Sequence, residues 1–132
     1  MVDDSGFFVT LLLAVIALLL WQLERGLRDP SPSEQKAEAK SVELLLQHLT
    51  DQQKEQYAAN GYFDAVGSST GLRYQISHGR IRNVVLLDDL VRPSGGRCFA
   101  PQGFLPAGDC MLAQKIAIEN CEDEVIRVAL RF

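Results

Sequence analysis

The sequence predicts an α+β protein, in which a single N-terminal transmembrane helix precedes a small domain with an antiparallel sheet of three or four strands flanked by helices. Two observations carry this prediction. An uncharged apolar run extends from Phe7 to Trp21. The rest of the chain switches between an apolar period of about 3.6 residues and one of about two, which are typical of helices and strands. Removing the run and the segments that flank it leaves about 90 to 100 residues, enough for one modest core.

Composition divides the chain into four segments, because charge, proline and apolar residues are unevenly distributed. We expect a short acidic tail at residues 1–5, a transmembrane helix at 6–23, a linker rich in Pro, Ser and charged residues at 24–40, and the small α+β domain at 41–132.

The segment at 6–23 fits a retained membrane span better than a cleaved export signal or a buried core helix. At about 1.5 Å per residue it covers roughly 27 Å, slightly less than a hydrocarbon core of about 30 Å. Its Leu, Ile, Val and Phe side chains favour insertion by about 3–7 kcal/mol in sum. An export signal has a basic leader and small residues after the apolar run, whereas this leader is MVDDSG and the run ends in LLLWQLERGL.

The charges that flank the span predict its orientation. No Lys or Arg precedes it, and Arg25, Arg28, Lys36 and Lys40 follow it. Because basic flanks stay on the cytoplasmic side, we expect a single-pass membrane protein with its N-terminus outside and its C-terminal domain in the cytoplasm.

Two helices are expected after the prolines of the linker, which end any helix that continues from the membrane. Ser33 is the predicted N-cap of the first, and an apolar stripe along that helix should dock on the domain. Thr50 and Gln53 have the spacing of a capping box for the second, and Asn60-Gly61 is its predicted stop. The stripe consists of Val42, Leu45, Leu46 and Leu49.

The middle of the chain has the alternation of strands separated by turns. Short apolar runs alternate with polar residues, and GSSTG, His78-Gly79 and the acidic pair Asp88-Asp89 mark turns between them. The predicted strands are YFDAV, LRYQIS, RIRNVVLLD and GRCFA.

The C-terminal third returns to helix. Asp109 is a plausible N-cap, and Asn120 lies near the expected stop. The tail at 122–132 fits either a strand or a helix, and its acidic start, EDE, favours a helix.

The stretch from Leu45 to Glu124, with LTDQQKEQYAANGYFDAV and LPAGDCMLAQKIAIE within it, resembles a segment of uncharacterised bacterial and viral proteins. The resemblance implies one autonomous module joined to a membrane anchor. It implies no activity and transfers no functional residues.

The residues that usually carry chemistry do not form a recognisable catalytic or metal motif, so we expect no cofactor and lean away from an enzyme. A zinc site would need short chelating loops, and the cysteines are widely spaced. A thiol catalyst with His78 remains a minor alternative, and core packing is the expected role of the thiols. The chain has three cysteines, Cys98, Cys110 and Cys121. An odd number suits a reducing compartment, where cysteines need not pair.

The sequence therefore predicts an accessory or adaptor subunit of a larger membrane assembly, acting by protein–protein interaction, with other membrane proteins and lipid as partners. Thr10, Ala14 and Ala17 form a small-residue stripe for a partner helix, and Trp21 is the expected interface anchor. The alternative is a module that binds nucleic acid or the membrane surface through the arginine-bearing strands at 72–100. A net charge of −4 argues against nucleic acid. The basic candidates are Arg73, Arg80, Arg82 and Arg97.

Overall fold

The computed structural model describes residues 4–26 and 29–132 and confirms the α+β class. The chain divides into two compact units, Met1–Ser33 and Glu34–Phe132. In the first, helix α1 (Asp4–Gly26) contains the stretch Gly6–Glu24, which is long and apolar enough to cross a membrane and has none of its residues buried.

Three further helices and five strands follow in the described part of the chain. The helices are α2 (Pro32–His48), α3 (Asp51–Asn60) and α4 (Ala107–Val128). The strands are β1 (Tyr62–Val66), β2 (Arg73–Ser77), β3 (Val84–Leu87), β4 (Pro93–Cys98) and β5 (Leu130–Arg131).

Helix α2 begins at Pro32, so Ser33 lies in the first turn, and its prediction as the N-cap is wrong. Proline suits the first turn because that turn's N–H groups have no partner within the helix. The segment predicted as a linker at 24–40 is thus helical from Pro32 onward. Leu45 and Leu49 are buried, so the expected docking of the apolar stripe is confirmed.

Helix α3 confirms the capping box. The Thr50 Oγ1 atom accepts a hydrogen bond from the Gln53 backbone N at 3.2 Å, and Gln53 Oε1 accepts one from the Thr50 backbone N at 3.1 Å. The helix ends at Asn60, and Gly61 follows with φ 74°, a left-handed conformation that glycine adopts without strain.

The strands form one antiparallel sheet in the order β1-β2-β3-β4-β5. The prediction of three or four strands is close, and the additional strand β5 comes from the C-terminal tail. Because successive strands run in opposite directions, the β2–β3 loop and the segment after β4 lie at the same end of the sheet. The β1–β2 and β3–β4 loops lie at the other end.

One face of the sheet carries the core. Phe63 pairs with Ile76, and Ile76 pairs with Val84, so these side chains share a face. All three are fully buried, as are Met111 and Ile118 of α4. Helices α2, α3 and α4 therefore cover this face of the sheet.

Helix α4 departs from prediction at both ends. It begins at Ala107, Pro106 occupies the N-cap position, and Asp109 is not the cap. The helix does not stop at Asn120, because it continues through a kink at Cys121 (φ −137°, ψ 39°) as far as Val128. The helical prediction for the tail is thus confirmed up to that residue, and the last residues form β5.

Candidate functional site

A cleft of about 570 Å³ opens at the end of the sheet that carries the β2–β3 loop. It lies within the unit Glu34–Phe132, and three segments form its walls: α2, the β2–β3 loop, and the chain from the end of β4 into α4. A pocket with mainly apolar walls and a few convergent polar groups is the usual form of a binding site. The polar side chains in its lining are those of Glu38, His78, Arg80 and Cys110.

Glu38, on α2, contacts both of the other walls of the cleft. Its carboxylate oxygens accept hydrogen bonds from the Ala107 backbone N at 3.0 and 3.2 Å. Arg80 Nη2 donates to Glu38 Oε2 at 3.3 Å, and His78 Nε2 lies 4.0 Å from Oε1. An anion at a helix N-terminus satisfies free N–H groups and interacts favourably with the helix dipole. Glu38 therefore caps α4, the role that the sequence assigned to Asp109.

His78 is held from its other side by Tyr57. The Tyr57 Oη and His78 Nδ1 atoms are 2.9 Å apart and share a hydrogen bond. Burial raises the pKa of Tyr57, and the negative charge of Glu38 raises it further. The phenol is therefore neutral at physiological pH, and its role is to orient the imidazole.

Arg80 links the β2–β3 loop to the opposite wall. Its Nε atom donates to the Leu105 carbonyl at 2.8 Å, and its guanidinium lies 4.5 Å from the centroid of the Phe104 ring. The Cys110 thiol donates to the Arg80 carbonyl at 3.2 Å. Burial raises the pKa of Cys110, and the Arg80 charge opposes this only in part. Cys110 therefore acts as a neutral hydrogen-bond donor at neutral pH, because nucleophilic attack requires the thiolate.

A buried pair of amides fixes the two loops that border the cleft. Asn83 Nδ2 donates to Gln114 Oε1 at 2.8 Å, and Gln114 Nε2 donates back to Asn83 Oδ1 at 2.9 Å. Asn83 Nδ2 also donates to the Ser77 carbonyl at 3.0 Å, and Gln114 Nε2 to the Phe99 carbonyl at 2.9 Å. Both loops are thus tied to α4 through one satisfied polar network, which favours a preformed cleft.

The mouth of the cleft is apolar and exposed. Ile81 is 68% exposed and Phe104 is 81% exposed, although both side chains are large and hydrophobic. The polar groups inside are paired with one another, Glu38 with Arg80 and His78 with Tyr57. Within residues 4–26 and 29–132, no group of three or more His, Cys, Asp or Glu side chains is arranged to hold a metal ion.

The four predicted basic residues do not form one surface. Arg97 pairs with Val84 and so belongs to the helix-covered face of the sheet, whereas Arg73 alternates with buried Tyr74 and belongs to the other face. Arg80 lies in the cleft. Arg82 stacks at 4.9 Å from the centroid of the Phe132 ring.

The predicted residues of the span lie on one side of α1, because steps of about 100° per residue bring positions 10, 14, 17 and 21 to the same face. Thr10 Oγ1 donates to the carbonyls of Gly6 at 3.0 Å and Phe7 at 2.9 Å, so its hydroxyl is satisfied within its own helix. Ala14 and Ala17 are exposed. Trp21 is 48% exposed.

Sequence reasoning missed Glu38, Tyr57 and Phe104 as parts of one site. Glu38 lies in a polar helical stretch with several similar charges, and Phe104 lies in a loop whose sequence, PQGFLPAG, has no period. The signal that could have indicated this site was Phe104, an aromatic residue among turn-forming residues.

Comparison of the chain with protein-family models, with curated proteins and with solved structures finds no match. Function is therefore inferred from the residues and geometry of this chain.

Proposed function

We propose that the protein is a single-pass, membrane-anchored accessory or adaptor subunit that acts by protein–protein interaction within a larger membrane assembly. The observation that supports this most strongly is the Gly6–Glu24 helix, which is apolar, unburied and followed by a separate folded unit. Tethering a small domain in the plane of the membrane raises its effective concentration for partners in the same membrane. The anchor therefore has a use without any catalytic step.

The orientation in this proposal has the N-terminus outside and the globular unit in the cytoplasm. It is supported by the distribution of basic residues, which are absent before the span and present after it at Arg25, Arg28, Lys36 and Lys40. A cysteine introduced at Val2 should then be labelled by a membrane-impermeant maleimide in sealed cells, and Cys121, which is exposed in the globular unit, should not.

The proposed contact with a partner's membrane helix is the face of α1 that carries Ala14 and Ala17. Small residues let two helices approach closely, so that dispersion contacts between them increase. Because the Thr10 hydroxyl bonds within its own helix, this face would contribute shape complementarity rather than a polar bond across the interface.

Two experiments test the proposal. The full-length chain should stay in the membrane fraction after alkaline carbonate washing, and its appearance in the supernatant would contradict the anchor. Purification in mild detergent should retain membrane proteins at stoichiometric levels, and isolation of the chain alone would contradict the adaptor role.

A matched pair of variants tests the contact face. Ala14→Leu with Ala17→Leu adds bulk to the small-residue face, whereas Leu12→Phe with Leu19→Phe adds bulk to the opposite face. The first pair should lose the co-purified partners and the second should keep them. Equal retention by both pairs would place the contact elsewhere.

A further inference from the structure

We propose that the cleft end of the globular unit docks on the membrane surface, with Ile81 and Phe104 entering the boundary between phospholipid headgroups and acyl chains. The inference rests on the membrane anchor of the proposed function. It goes beyond that function by naming the surface of the domain that contacts lipid.

The path of the chain is the first support. Glu24 ends the apolar stretch of α1, and Glu34 opens the globular unit ten residues later, a separation of at most about 33–36 Å when fully extended. Glu38 lies one helical turn further along α2 and forms a wall of the cleft. The cleft is therefore at the end of the unit where the chain enters it, and the tether keeps that end within reach of the bilayer.

The exposed apolar side chains at this end are the second support. Ile81 and Phe104 come from different loops but line the same cleft mouth, and both are largely exposed. The amide pair of Asn83 and Gln114 holds the base of both loops, so the two side chains are presented on a fixed support. The apolar face of a helix that lies on a membrane is buried about 5–10 Å into the headgroup–acyl boundary, and we expect a comparable depth for these two side chains.

The arginines that flank Ile81 are the third support. The Arg80 guanidinium packs over the Phe104 ring and donates through Nε and Nη2 to the Leu105 carbonyl and Glu38, which leaves its Nη1 group for phosphate. Arg82 is exposed, with its guanidinium over the Phe132 ring. A guanidinium has the planar donor geometry that suits phosphate, and its aliphatic stem can lie along an apolar surface while the charge stays in the polar layer. Apolar side chains between arginines match the layered chemistry of a phospholipid surface.

The opposite end of the sheet supplies a control. Leu90, in the β3–β4 loop, is 69% exposed, so it matches Ile81 in type and exposure. It lies at the end of the sheet away from the point where the chain enters the unit. Docking through the cleft end therefore predicts lipid contact at position 81 and none at position 90.

Depth-dependent fluorescence quenching tests this on the full-length protein. The native tryptophan is removed by Trp21→Phe, and one tryptophan is introduced as Ile81→Trp, Phe104→Trp or, for the control, Leu90→Trp. Each protein is reconstituted into vesicles of phosphatidylcholine and phosphatidylglycerol, with or without bromine on the acyl chains near the headgroups. A carbonate wash first verifies insertion.

The expected result is a loss of fluorescence in brominated vesicles for tryptophan at position 81 or 104, with no loss at position 90. An absence of quenching at both cleft positions in a carbonate-resistant protein would overturn the docking and leave the anchor intact. Quenching at position 90 equal to or greater than that at the cleft would also overturn it. Release of the chain by carbonate would instead refute the anchor.

Discussion

Replacing Glu122 tests whether a buried carboxylate holds the β1–β2 hairpin to α4. The side chain is 2% exposed and lies directly after the kink at Cys121. Its Oε2 atom accepts hydrogen bonds from the backbone N atoms of Ser69 at 2.8 Å and Thr70 at 2.9 Å. Its Oε1 atom accepts bonds from the Thr70 hydroxyl and, at 2.8 Å, from the Tyr74 hydroxyl.

The hydrogen bonds to Glu122 determine how much unfolding free energy each substitution should lose. In Glu122→Gln, the amide oxygen can keep the two backbone donors, and the amide NH₂ can donate to the two hydroxyls after they rotate. The loss is then mainly that of charge assistance. Bonds to charged groups exceed neutral ones by about 1 kcal/mol each, so four bonds give an upper bound of about 4 kcal/mol. Because Ser69 and Thr70 are exposed to solvent, which weakens their share, we expect a loss of about 1–3 kcal/mol of unfolding free energy. Glu122→Ala removes every acceptor and leaves the neutral donors without a partner in the protein; because each buried unsatisfied donor costs about 1–3 kcal/mol, this variant should lose more stability than Glu122→Gln.

The effect should depend on pH with a definite sign. Burial alone would raise the pKa of Glu122, but hydrogen bonds from Thr70, Tyr74 and Ser69 outweigh it and hold the pKa below the ordinary value of 4.5. A lowered pKa in the folded state means that the stabilisation is fully present above about pH 4.5 and is lost as pH falls through the folded-state pKa. The difference between wild type and Glu122→Gln should therefore shrink in acid.

Urea unfolding of the full-length protein in detergent, followed by near-ultraviolet circular dichroism, measures these differences. Glu124→Gln is the matched control, because it removes an exposed carboxylate from the same helix and should change stability little. Equal stability of wild type and Glu122→Gln at neutral pH would refute the reasoning. So would a difference that does not change with pH.

Three further predictions concern other fixed contacts. Burial and the bond to Glu122 raise the pKa of Tyr74 to about 12, so Tyr74→Phe should remove the phenol absorbance change near that pH. The stabilisation from the phenol should be complete below pH 10 and lost as pH rises through about 12. Gly108→Ala should lower the unfolding free energy measured in urea by about 1–3 kcal/mol, because the added Cβ would clash with the backbone of Ser41. Adding Ser41→Gly should not restore the stability, because that change removes the side chain and leaves the backbone atoms in place. Thr50→Ala should cost about 1 kcal/mol in the same assay through loss of the α3 cap.

The parts of the fold that the sequence predicted are those determined by short-range contacts. The α3 cap joins Thr50 to Gln53, and the stop at Gly61 depends on one backbone conformation. Both signals lie within a few residues, so they can be recognised in an unaligned sequence. The alternation of buried and exposed residues predicted β2 in the same way.

The parts that were missed depend on contacts between distant residues. The N-terminus of α4 is capped by Glu38, 69 positions earlier in the chain, so a search for a cap beside the helix selected Asp109 instead. The sequence suggests a stop at Asn120, but the segment after Cys121 stays helical. Its first residue, Glu122, accepts hydrogen bonds from the backbone of Ser69 and Thr70 in the β1–β2 hairpin. The cleft likewise exists only when three separated segments meet.

The amide pair of Asn83 and Gln114 has an evolutionary consequence. Each side chain uses its oxygen as acceptor and its nitrogen as donor toward the other. The residue type that fits at one position therefore depends on the residue type at the other. Asn83→Asp would turn the Nδ2 donor into a second acceptor and face the Ser77 carbonyl and Gln114 Oε1 with a buried negative charge. We expect positions 83 and 114 to covary among related chains, so that a change at one position is accompanied by a compensating change at the other.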